Sequence, residues 1–197
     1  MKKNIAILFG GQSSEHEVSL KSVTTIINNI DKDKYNIYPV GISKDGKWLM
    51  YTGDVDGIVS NKWLEDGIPA IISPDATHKG LIVMGDAPKI INIDAVFPVL
   101  HGSNGEDGTV QGLLEMAKIP YVGCGVLSSA VSMDKGMTKI VADANQIPQA
   151  NYIIIKKSQL TNMDYVVAKV EDNIPYPCFI KPANTGSSVG ISKVNNK

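Results

Sequence analysis

The sequence contains no arginine, since all 19 of its basic residues are lysine. Arginine is the usual bidentate clamp for carboxylates and phosphates, so any anion that this chain binds must be held by lysines or by backbone N–H groups. The net charge of −1 gives no reason to expect a nucleic-acid or anionic-membrane partner. No apolar run approaches about 18 residues and no charged-then-apolar leader is present, so we expect neither a membrane span nor a signal peptide.

Cysteine is also scarce, because only Cys124 and Cys178 are present. They lie far apart and match no metal-binding spacing. Both lie in apolar stretches, which predicts buried free thiols in a protein of the reducing cytoplasm.

Hydrophobic residues make up 43% of the 197 residues, enough for the core of one large domain or two small ones. Apolar strands alternate with helical patterns, which predicts an α/β fold with a Rossmann-like, doubly wound parallel sheet. Ligands bind such sheets at the carboxyl ends of the strands, where the loops at 10–15 and 101–107 should meet. Strands are predicted at 4–9, 35–43, 80–86, 89–93, 94–100 and 119–125, helices at 15–30 and 108–117, a turn at Asp45-Gly46, and an irregular segment at 50–75 with a helical turn near 61–66.

The pattern changes after Gly125, and we therefore predict one domain at 1–125 and a second, partial domain at 126–197. The second region predicts two helical pieces within 127–146, a strand at 150–157, a helical linker at 158–171 and two strands around a Gly/Ser loop at 177–194. So few strands bury too little surface for independent stability. We expect the natural protein to continue beyond this segment, or the segment to dock on something else.

The first motif is "GGQSSEHEVSL", a glycine turn followed by a helix start. Ser14 and Glu17 have the spacing of a capping box, with Ser14 as the N-cap. Glu15 would then occupy the first helical position, where the helix dipole keeps it ionised and suited to hold an ammonium group. The alternative is that Glu15 only complements the dipole. His16 is expected to be exposed on the helix.

The second motif, "HGSNGEDGTVQG", links a strand to a helix and contains four glycines. Asp107 is the predicted N-cap of that helix. His101 could donate a hydrogen bond to a bound carbonyl or carboxylate, although a purely structural histidine is the alternative.

The third motif is "FIKPANTGSSVGISKV". Gly186, Ser187 and Ser188 offer N–H groups and hydroxyls in a loop that can fold over phosphates. Lys181 adds a positive charge at the base of the loop, and its apolar neighbours predict a buried, paired lysine. Lys135 is predicted to begin a helix capped by Asp134. The alternatives are a polar hairpin with a surface lysine and a solvated Lys135.

Four runs together resemble the D-alanine–D-alanine ligase family of the ATP-grasp superfamily: "LFGGQSSEHEVSL", "VFPVLHGSNGEDGTVQGLLE", "IPYVGCGVLSSAVSMDK" and "FIKPANTGSSVGISKV". The second run also resembles the vancomycin-resistance ligases, which join D-alanine to D-serine or D-lactate. The resemblance implies a Rossmann-like domain before the beginning of an ATP-grasp domain. It also implies that ATP phosphorylates one D-alanine and that the amine of a second substrate attacks the acyl phosphate, as in peptidoglycan synthesis.

The resemblance also implies roles at the amino-acid site. Glu15 would hold the ammonium group of the first D-alanine, and Ser187 would bridge that glutamate to a tyrosine further along the chain. His101 would face the carboxyl group of the substrate, and Val18 would line its small pocket.

For ATP, the resemblance implies contacts from Lys135 and Lys181, with Gly186, Ser187 and Ser188 closing over the phosphates. It places the ligands of Mg²⁺, the tyrosine and a transition-state arginine in a later segment, so no metal ligand is expected in this chain. We therefore expect these 197 residues to be inactive alone. The family is commonly dimeric, so we also expect a homodimer.

Two other functions remain open at this point. A non-catalytic domain could bind an amino acid or a nucleotide without reaction. A Rossmann-type oxidoreductase is disfavoured because the turn has G-G-x-x-x-E and lacks G-x-G-x-x-G. The second substrate of a ligase cannot be named from these residues.

Overall fold

The computed structural model describes the whole chain, Met1–Lys197, which divides into two compact units, Met1–Ala130 and Val131–Lys197. The first unit contains a seven-stranded sheet and four complete helices, and a fifth helix begins within it. Its strands are β1 (Lys3–Gly10), β2 (Tyr35–Ile42), β3 (Trp48–Met50), β4 (Ile68–Ile72), β5 (Gly80–Val83), β6 (Lys89–Asn92) and β7 (Ala95–Pro98). Its helices are α1 (His16–Asn29), α2 (Asp56–Val59), α3 (Trp63–Asp66) and α4 (Thr109–Ala117), followed by α5 (Val126–Met133).

The seven strands form one sheet in the order β6-β5-β4-β3-β2-β1-β7. β1 pairs in parallel with β2 and β7, which confirms the parallel arrangement predicted from the alternating pattern. The other pairs, from β2 to β6, are antiparallel. The sheet is therefore a parallel centre with an antiparallel extension. No helix separates β2 from β3, β4 from β5 or β5 from β6, whereas the short helices α2 and α3 lie between β3 and β4.

Sequence reasoning missed β4 and overextended another strand. β4 lies in the segment predicted to be irregular, although its Ala70 and Ile72 are buried in the alternating manner of a strand. The strand predicted at 119–125 is reduced to a single parallel bridge between Val96 and Tyr121.

The core lies on both faces of β1. Ile7 and Phe9 pack on one side with the apolar stripe of α1, and Ala6 and Leu8 pack on the other side with α4. Burying each large aliphatic side chain of such a core contributes about 1.5–3 kcal/mol. Both faces of the central strand are thus covered, as expected for a parallel strand.

The topology places a site at one edge of the sheet. β1 has a neighbour on each side, and the connections leave its carboxyl end and that of β7 next to each other. Ligands of open α/β sheets bind at such a switch point. The segments that follow these two strands, 11–15 and 99–108, are the ones that carry the first two motifs.

The second unit contains α6 (Lys135–Ala144), a 3-10 helix (Lys157–Thr161), α7 (Met163–Glu171) and the antiparallel strands β8 (Cys178–Ile180) and β9 (Ser192–Val194). The helical pieces and the final hairpin were predicted. The prediction of a strand at 150–157 is wrong, because the only sheet of this unit consists of β8 and β9 and this segment pairs with neither. A strand needs a partner for its backbone groups, and apolar content alone does not supply one.

The burial predicted for the cysteines is also wrong. Cys124 is exposed and Cys178 is partly exposed, and both are free thiols. Their apolar sequence neighbours lie in loops and in an edge hairpin, where neighbouring residues in sequence do not cover each other. None of the helices is both long and apolar enough to cross a membrane.

Candidate active site

The turn after β1 is built from two glycines with positive φ. Gly10 has φ +83° and Gly11 has φ +97°, conformations that side chains with a Cβ rarely adopt. A Cβ at position 10 would lie 2.3 Å from the carbonyl oxygen of Ile42. The N–H of Gly11 donates to that same oxygen over 2.7 Å. The turn is therefore held tightly against the end of β2.

Helix α1 does not begin with the predicted capping box. Its N-cap is Glu15, which makes no side-chain capping bond. The Oγ of Ser13 accepts a hydrogen bond from the Glu15 N–H (3.1 Å), and the Glu17 carboxylate pairs with the Lys44 ammonium at 2.8 Å. The Lys44 bond lowers the pKa of Glu17. The box fails because Glu17 has a cationic partner on the β2–β3 turn, which competes with the backbone for its carboxylate.

The first two motifs meet as predicted. The Ser13 Oγ donates a hydrogen bond to the carbonyl oxygen of His101 over 2.7 Å. Gly102 has φ +70°, and a Cβ there would lie 3.0 Å from Oε2 of Glu15. A glycine at 102 therefore leaves room for the Glu15 carboxylate beside the second loop. Glu15 and His101, which sequence reasoning proposed for one substrate, lie at the same junction.

Ser19 fixes the ends of the two parallel strands. Its buried Oγ accepts from the N–H of Gly10 (2.7 Å) and donates to the carbonyl oxygen of Val99. One hydroxyl on α1 thus joins the end of β1 to the segment after β7. Sequence reasoning missed this residue, although Ser19 lies four residues before Val23 on the buried stripe of α1, and this helical spacing could have indicated its burial.

His16 is buried, with only 4% of its surface exposed, so the expectation that it is exposed is wrong. Its Nδ1 lies 2.8 Å from the carbonyl oxygen of Gly11, and its ring stacks on Trp63 with centroids 6.3 Å apart. Since a carbonyl only accepts, Nδ1 carries the proton. The residue continues the buried stripe of α1 at the helical spacing of Leu20, Val23 and Ile27.

His101 is half-buried, and its ring contacts α1. Its Nε2 lies 3.3 Å from the Oγ of Ser22, which in turn donates to the carbonyl oxygen of Val18 over 2.9 Å. The side chain of Val18 is 50% exposed on the same helix. An exposed small apolar side chain next to a held imidazole is compatible with a pocket wall for a small substrate.

Two acids fix the backbone of the second loop. Glu106 accepts the N–H of Gly102 (2.7 Å), and Asp107 accepts the N–H groups of Asn104 (2.8 Å) and Thr109 (3.0 Å). Burial raises the pKa of Asp107, but these N–H donors outweigh it, and the net shift is downward. The N-cap of α4 is Gly108, one residue after the predicted Asp107, although Asp107 does accept the first helical N–H.

In the second unit, the serine loop turns through two residues with positive φ. Ser187 has φ 48° and Ser188 has φ 61°, and the N–H of Val189 donates to the Gly186 carbonyl over 3.1 Å. Two such residues at the centre of a β-turn are typical of a type I′ turn. Serines there are less favourable than glycines, by about 1 kcal/mol or more each, and their hydroxyls are the groups that glycine lacks.

Lys135 holds this loop. It begins α6 as predicted, and Asp134 caps the helix by accepting the N–H of Met137 over 3.0 Å. The backbone N–H of Lys135 donates to Ala183 (3.0 Å), and its ammonium donates to the carbonyl oxygen of Thr185 (2.5 Å). An ammonium has three donors, so Lys135 can hold the loop and still contact an anion.

Lys181 follows β8 and is exposed. The prediction of a buried, paired lysine is therefore wrong, and the reason is that its neighbours Phe179 and Ile180 are themselves 58% and 61% exposed. The structure has no group of three or more His, Cys, Asp or Glu residues that could hold a metal ion.

Comparison with known proteins identifies the family to which this chain is similar. The model described as the D-ala D-ala ligase N-terminus matches residues 4–124, and that of the D-ala D-ala ligase C-terminus matches residues 141–197. D-alanine–D-alanine ligases from Caldicellulosiruptor bescii and from Thermoanaerobacter sp. (strain X514) are 51% and 52% identical over the whole chain. The chain covers 54% and 55% of these two proteins, so it spans about half the length of the curated relatives it matches.

Solved structures agree. A D-Ala:D-Ser ligase from Enterococcus faecalis superposes with a TM-score of 0.90 at 42% identity, over 100% of this chain and 57% of that one. A D-alanine–D-alanine ligase from Coxiella burnetii superposes with a TM-score of 0.84 at 32% identity, over 99% of this chain and 57% of that one. The fold is thus the Rossmann-like N-terminal domain and the following ATP-grasp residues of such ligases. The chain belongs to the D-alanine–D-alanine ligase family.

Proposed function

We propose that this chain takes part in the ATP-dependent joining of D-alanine to a second D-amino acid or variant substrate, for peptidoglycan precursor synthesis. Membership of the ligase family supports the proposal. Because the chain spans about half of its relatives, the complete reaction is proposed for a longer protein that includes these residues. Because ATP is the proposed co-substrate, we propose the cytoplasm as the compartment. We propose a homodimer as the assembly, because the family is commonly dimeric.

One observation carries the amino-acid half of the proposal. The Glu15 carboxylate and the His101 ring lie at a single junction, which Ser13 and Gly102 hold together. An amino acid presents an ammonium group and a carboxylate a few ångströms apart, so it needs an acid and a donor at that separation. A carboxylate at the start of a helix suits a cation and repels a phosphate. We therefore assign the ammonium group to Glu15, the carboxyl group to His101 and the methyl group to Val18.

The second unit supplies the proposed nucleotide contacts. Lys135 and Lys181 would neutralise phosphate charge, and the N–H groups and hydroxyls at Gly186, Ser187 and Ser188 would contact the phosphate oxygens. The hold of Lys135 on the loop carbonyl of Thr185 supports this assignment, since it sets the loop in one conformation before ATP arrives. For Ser187 we also propose the catalytic role that the family resemblance implies.

In the proposed reaction, a carboxylate oxygen of the first D-alanine attacks the γ-phosphorus of ATP and ADP leaves. The amine of the second substrate attacks the carbonyl carbon of the acyl phosphate and loses a proton, and the tetrahedral intermediate collapses by expelling phosphate. Positioning and electrostatic stabilisation supply most of the acceleration in such transfers. Water must be excluded from the acyl phosphate. Mg²⁺ accompanies ATP in this proposal, but the donor set of this chain does not fit a metal site, and we assign no step to it here.

Calorimetry on the 197-residue chain tests the binding half of the proposal. We expect saturable binding of D-alanine and of ATP, with L-alanine binding much more weakly. We also expect no D-alanine-dependent phosphate release from ATP by this chain alone. Binding of neither ligand would contradict the proposal, and sustained turnover would contradict the requirement for further residues.

A non-catalytic binding domain is the second candidate, because the chain spans only about half of its relatives. It predicts the same binding of D-alanine or ATP. It differs in predicting no phosphate release even when the chain is extended to the full length of its relatives. Release by the extended protein would remove this candidate.

A further inference from the structure

The hydroxyl of Tyr51, directly after β3, is a polar group that the fold leaves without a partner. Only 2% of the surface of Tyr51 is exposed, and its ring packs in the same hydrophobic cluster as Ile58 and Trp63. Buried tyrosine hydroxyls usually find a hydrogen-bond partner, but this hydroxyl takes part in none of the hydrogen bonds within the chain. Unpartnered side-chain atoms that are fully enclosed occur only in Trp63 and Gln111. The Tyr51 hydroxyl is therefore reached by solvent and is available to a bound molecule.

The hydroxyl opens into a cleft of about 660 Å³, which is lined by Asn28 of α1 and by residues of the segment 51–62. This volume lies within the range of about 300–1,000 Å³ that small-molecule sites occupy. Gly53 and Gly57 lie so close to the hydroxyl that a Cβ on either would approach it to less than 3.0 Å. A side chain at either position would take the space of the hydroxyl. The two glycines thus allow a buried ring to present its polar end to the cleft.

The charged groups of the cleft favour a cation. Asp54 and Asp56 line it, and neither takes part in any ion pair of the chain. The one lysine of the cleft, Lys62, lies 3.5 Å from the carboxylate of Asp66, which offsets its charge. Asn28 adds an amide that can both donate and accept. A ligand that suits this set carries a positive charge together with hydrogen-bonding groups.

We propose that this cleft binds a small organic amine, with an ammonium group against Asp54 and Asp56 and a second polar group hydrogen-bonded to the hydroxyl of Tyr51. A tyrosine hydroxyl both donates and accepts, so the second group is an amine or a hydroxyl. The site is separate from the proposed amino-acid site. Helix α1 has 14 residues and rises about 1.5 Å per residue, so Asn28 lies roughly 20 Å along the helix from Glu15. The proposal therefore does not depend on the ligase reaction.

Titration of the 197-residue chain with putrescine, followed by ¹H–¹⁵N NMR near pH 7 and at constant ionic strength, tests the proposal. Exposed carboxylates are ionised at this pH. We expect saturable shifts of the amide signals of Asn28 and of residues 51–62, and no comparable shifts at 11–15 and 99–108. The probe for the charge is 1,4-butanediol, which has the same length and two polar ends but no positive charge. It should bind much more weakly than putrescine.

Tyr51→Phe removes only the hydroxyl and should weaken putrescine binding about three- to ten-fold. Because the hydroxyl has no partner in the free chain, the unfolding temperature without ligand should not fall. Tyr121→Phe is the matched control, since its hydroxyl already donates to the carboxylate of Glu115 over 2.9 Å. It should leave putrescine binding unchanged.

Asp54→Asn and Asp56→Asn should each weaken putrescine binding about two- to five-fold, the effect of losing one exposed charge partner. Asp86→Asn, which neutralises an exposed acid between β5 and β6, controls for the general loss of negative charge and should bind like the wild type.

Three results would overturn the proposal. The first is the absence of saturable putrescine binding, or shifts that lie outside the cleft. The second is equal binding of putrescine and 1,4-butanediol, or an equal loss in Asp86→Asn and the two cleft variants, because the charge at Asp54 and Asp56 is then not what the cleft recognises. The third is wild-type affinity in Tyr51→Phe, or a markedly lower unfolding temperature of that variant without ligand, since the hydroxyl would then already have a partner.

Discussion

The Oγ of Ser13 donates a 2.7 Å hydrogen bond to the carbonyl oxygen of His101, although the two residues are 88 positions apart. The Ser13 Oγ also accepts a hydrogen bond from the N–H of Glu15 over 3.1 Å. One serine therefore fixes the backbone on which the Glu15 carboxylate and the His101 ring are mounted. The separation of the two groups proposed to bind an amino acid depends on this contact.

Ser13→Ala should consequently reduce D-alanine affinity. The variant loses both hydrogen bonds, and a lost bond of this kind costs about 1 kcal/mol, or about five-fold in affinity. We expect ATP affinity to stay at the wild-type value, because Ser13 is not among the residues proposed to contact ATP. Isothermal calorimetry with each ligand measures both effects.

Ser14→Ala is the control, because Ser14 is the next residue and its side chain is exposed. It should bind D-alanine like the wild type. If Ser14→Ala weakens binding as much as Ser13→Ala does, the contact with His101 is not the cause.

Gly102→Ala should disrupt the junction from the other side. The residue has φ +70°, and the new Cβ would lie 3.0 Å from Oε2 of Glu15 and 3.4 Å from the Oγ of Ser13. We expect the strained backbone to cost about 1 kcal/mol of stability and the displaced carboxylate to weaken D-alanine binding by about ten-fold or more. Thermal unfolding and D-alanine titration of the purified variant report the two effects separately.

Gly112→Ala provides the matched control for Gly102→Ala. Gly112 lies within α4, and a Cβ there meets nothing within 4 Å. Alanine should stabilise this helix position by about 0.5–1 kcal/mol and leave D-alanine binding unchanged. Equal losses of D-alanine binding in the two variants would contradict the role of the space at Gly102.

Asp107→Asn should remove a pH-dependent part of the stability. The folded-state pKa of Asp107 lies below its ordinary value, so the carboxylate stabilises the fold above the unfolded pKa of about 3.9 and loses that effect as the pH falls through the folded value. The difference in unfolding free energy between wild type and Asp107→Asn should be largest at about pH 5–7 and should shrink below about pH 4. We expect less than about 1 kcal/mol, because solvent screens this carboxylate. Urea unfolding across this pH range measures it, and a difference that grows toward low pH would have the wrong sign.

Lys135→Met should weaken ATP binding. The variant loses the ammonium that holds the Thr185 carbonyl and a charge proposed to face phosphate, which together predict a loss of about ten-fold or more. D-alanine binding should not change. Lys157→Met removes an exposed lysine of the same unit and controls for the general loss of positive charge. Unaltered ATP affinity in Lys135→Met would remove Lys135 from the proposed site.

Much of the fold was predictable because its periodic patterns are long. The run from Ile5 to Phe9 is apolar on both faces, and α1 repeats its apolar residues over four turns, so strand and helix were identified without tertiary information. The meeting of the two loops also followed from the rule on parallel strands. The cap at Asp134 was correct because its partner, the N–H of Met137, lies on the same helix.

The errors arise where the deciding partner is distant in sequence. Glu17 was expected to cap α1, but Lys44 takes its carboxylate, and Ser13 was missed because its partner His101 follows much later. His16 was expected to be exposed because histidine is polar, whereas its place on the buried stripe of α1 and the Gly11 carbonyl explain its burial. Local sequence contains no direct record of such long-range contacts.

The segment at 150–157 failed for a different reason. Its isoleucines give it high strand propensity, but a strand exists only when another strand pairs with it. Propensity could not reveal that the second unit offers the segment no pairing edge. Lys181 was placed in a buried setting by its apolar neighbours, whose own exposure could not be known from the sequence.

Glu15→Gln, with D-alanine and ATP affinities measured by calorimetry, tests the central claim most directly. The substitution keeps the size of the side chain and removes its charge, so we expect D-alanine affinity to fall by about 10- to 100-fold and ATP affinity to stay within about two-fold of wild type. Glu17→Gln, which neutralises an exposed acid two residues later, should leave both affinities unchanged. Unchanged D-alanine affinity in Glu15→Gln, or an equal loss of both ligands, would contradict the assignment of the substrate ammonium group to Glu15.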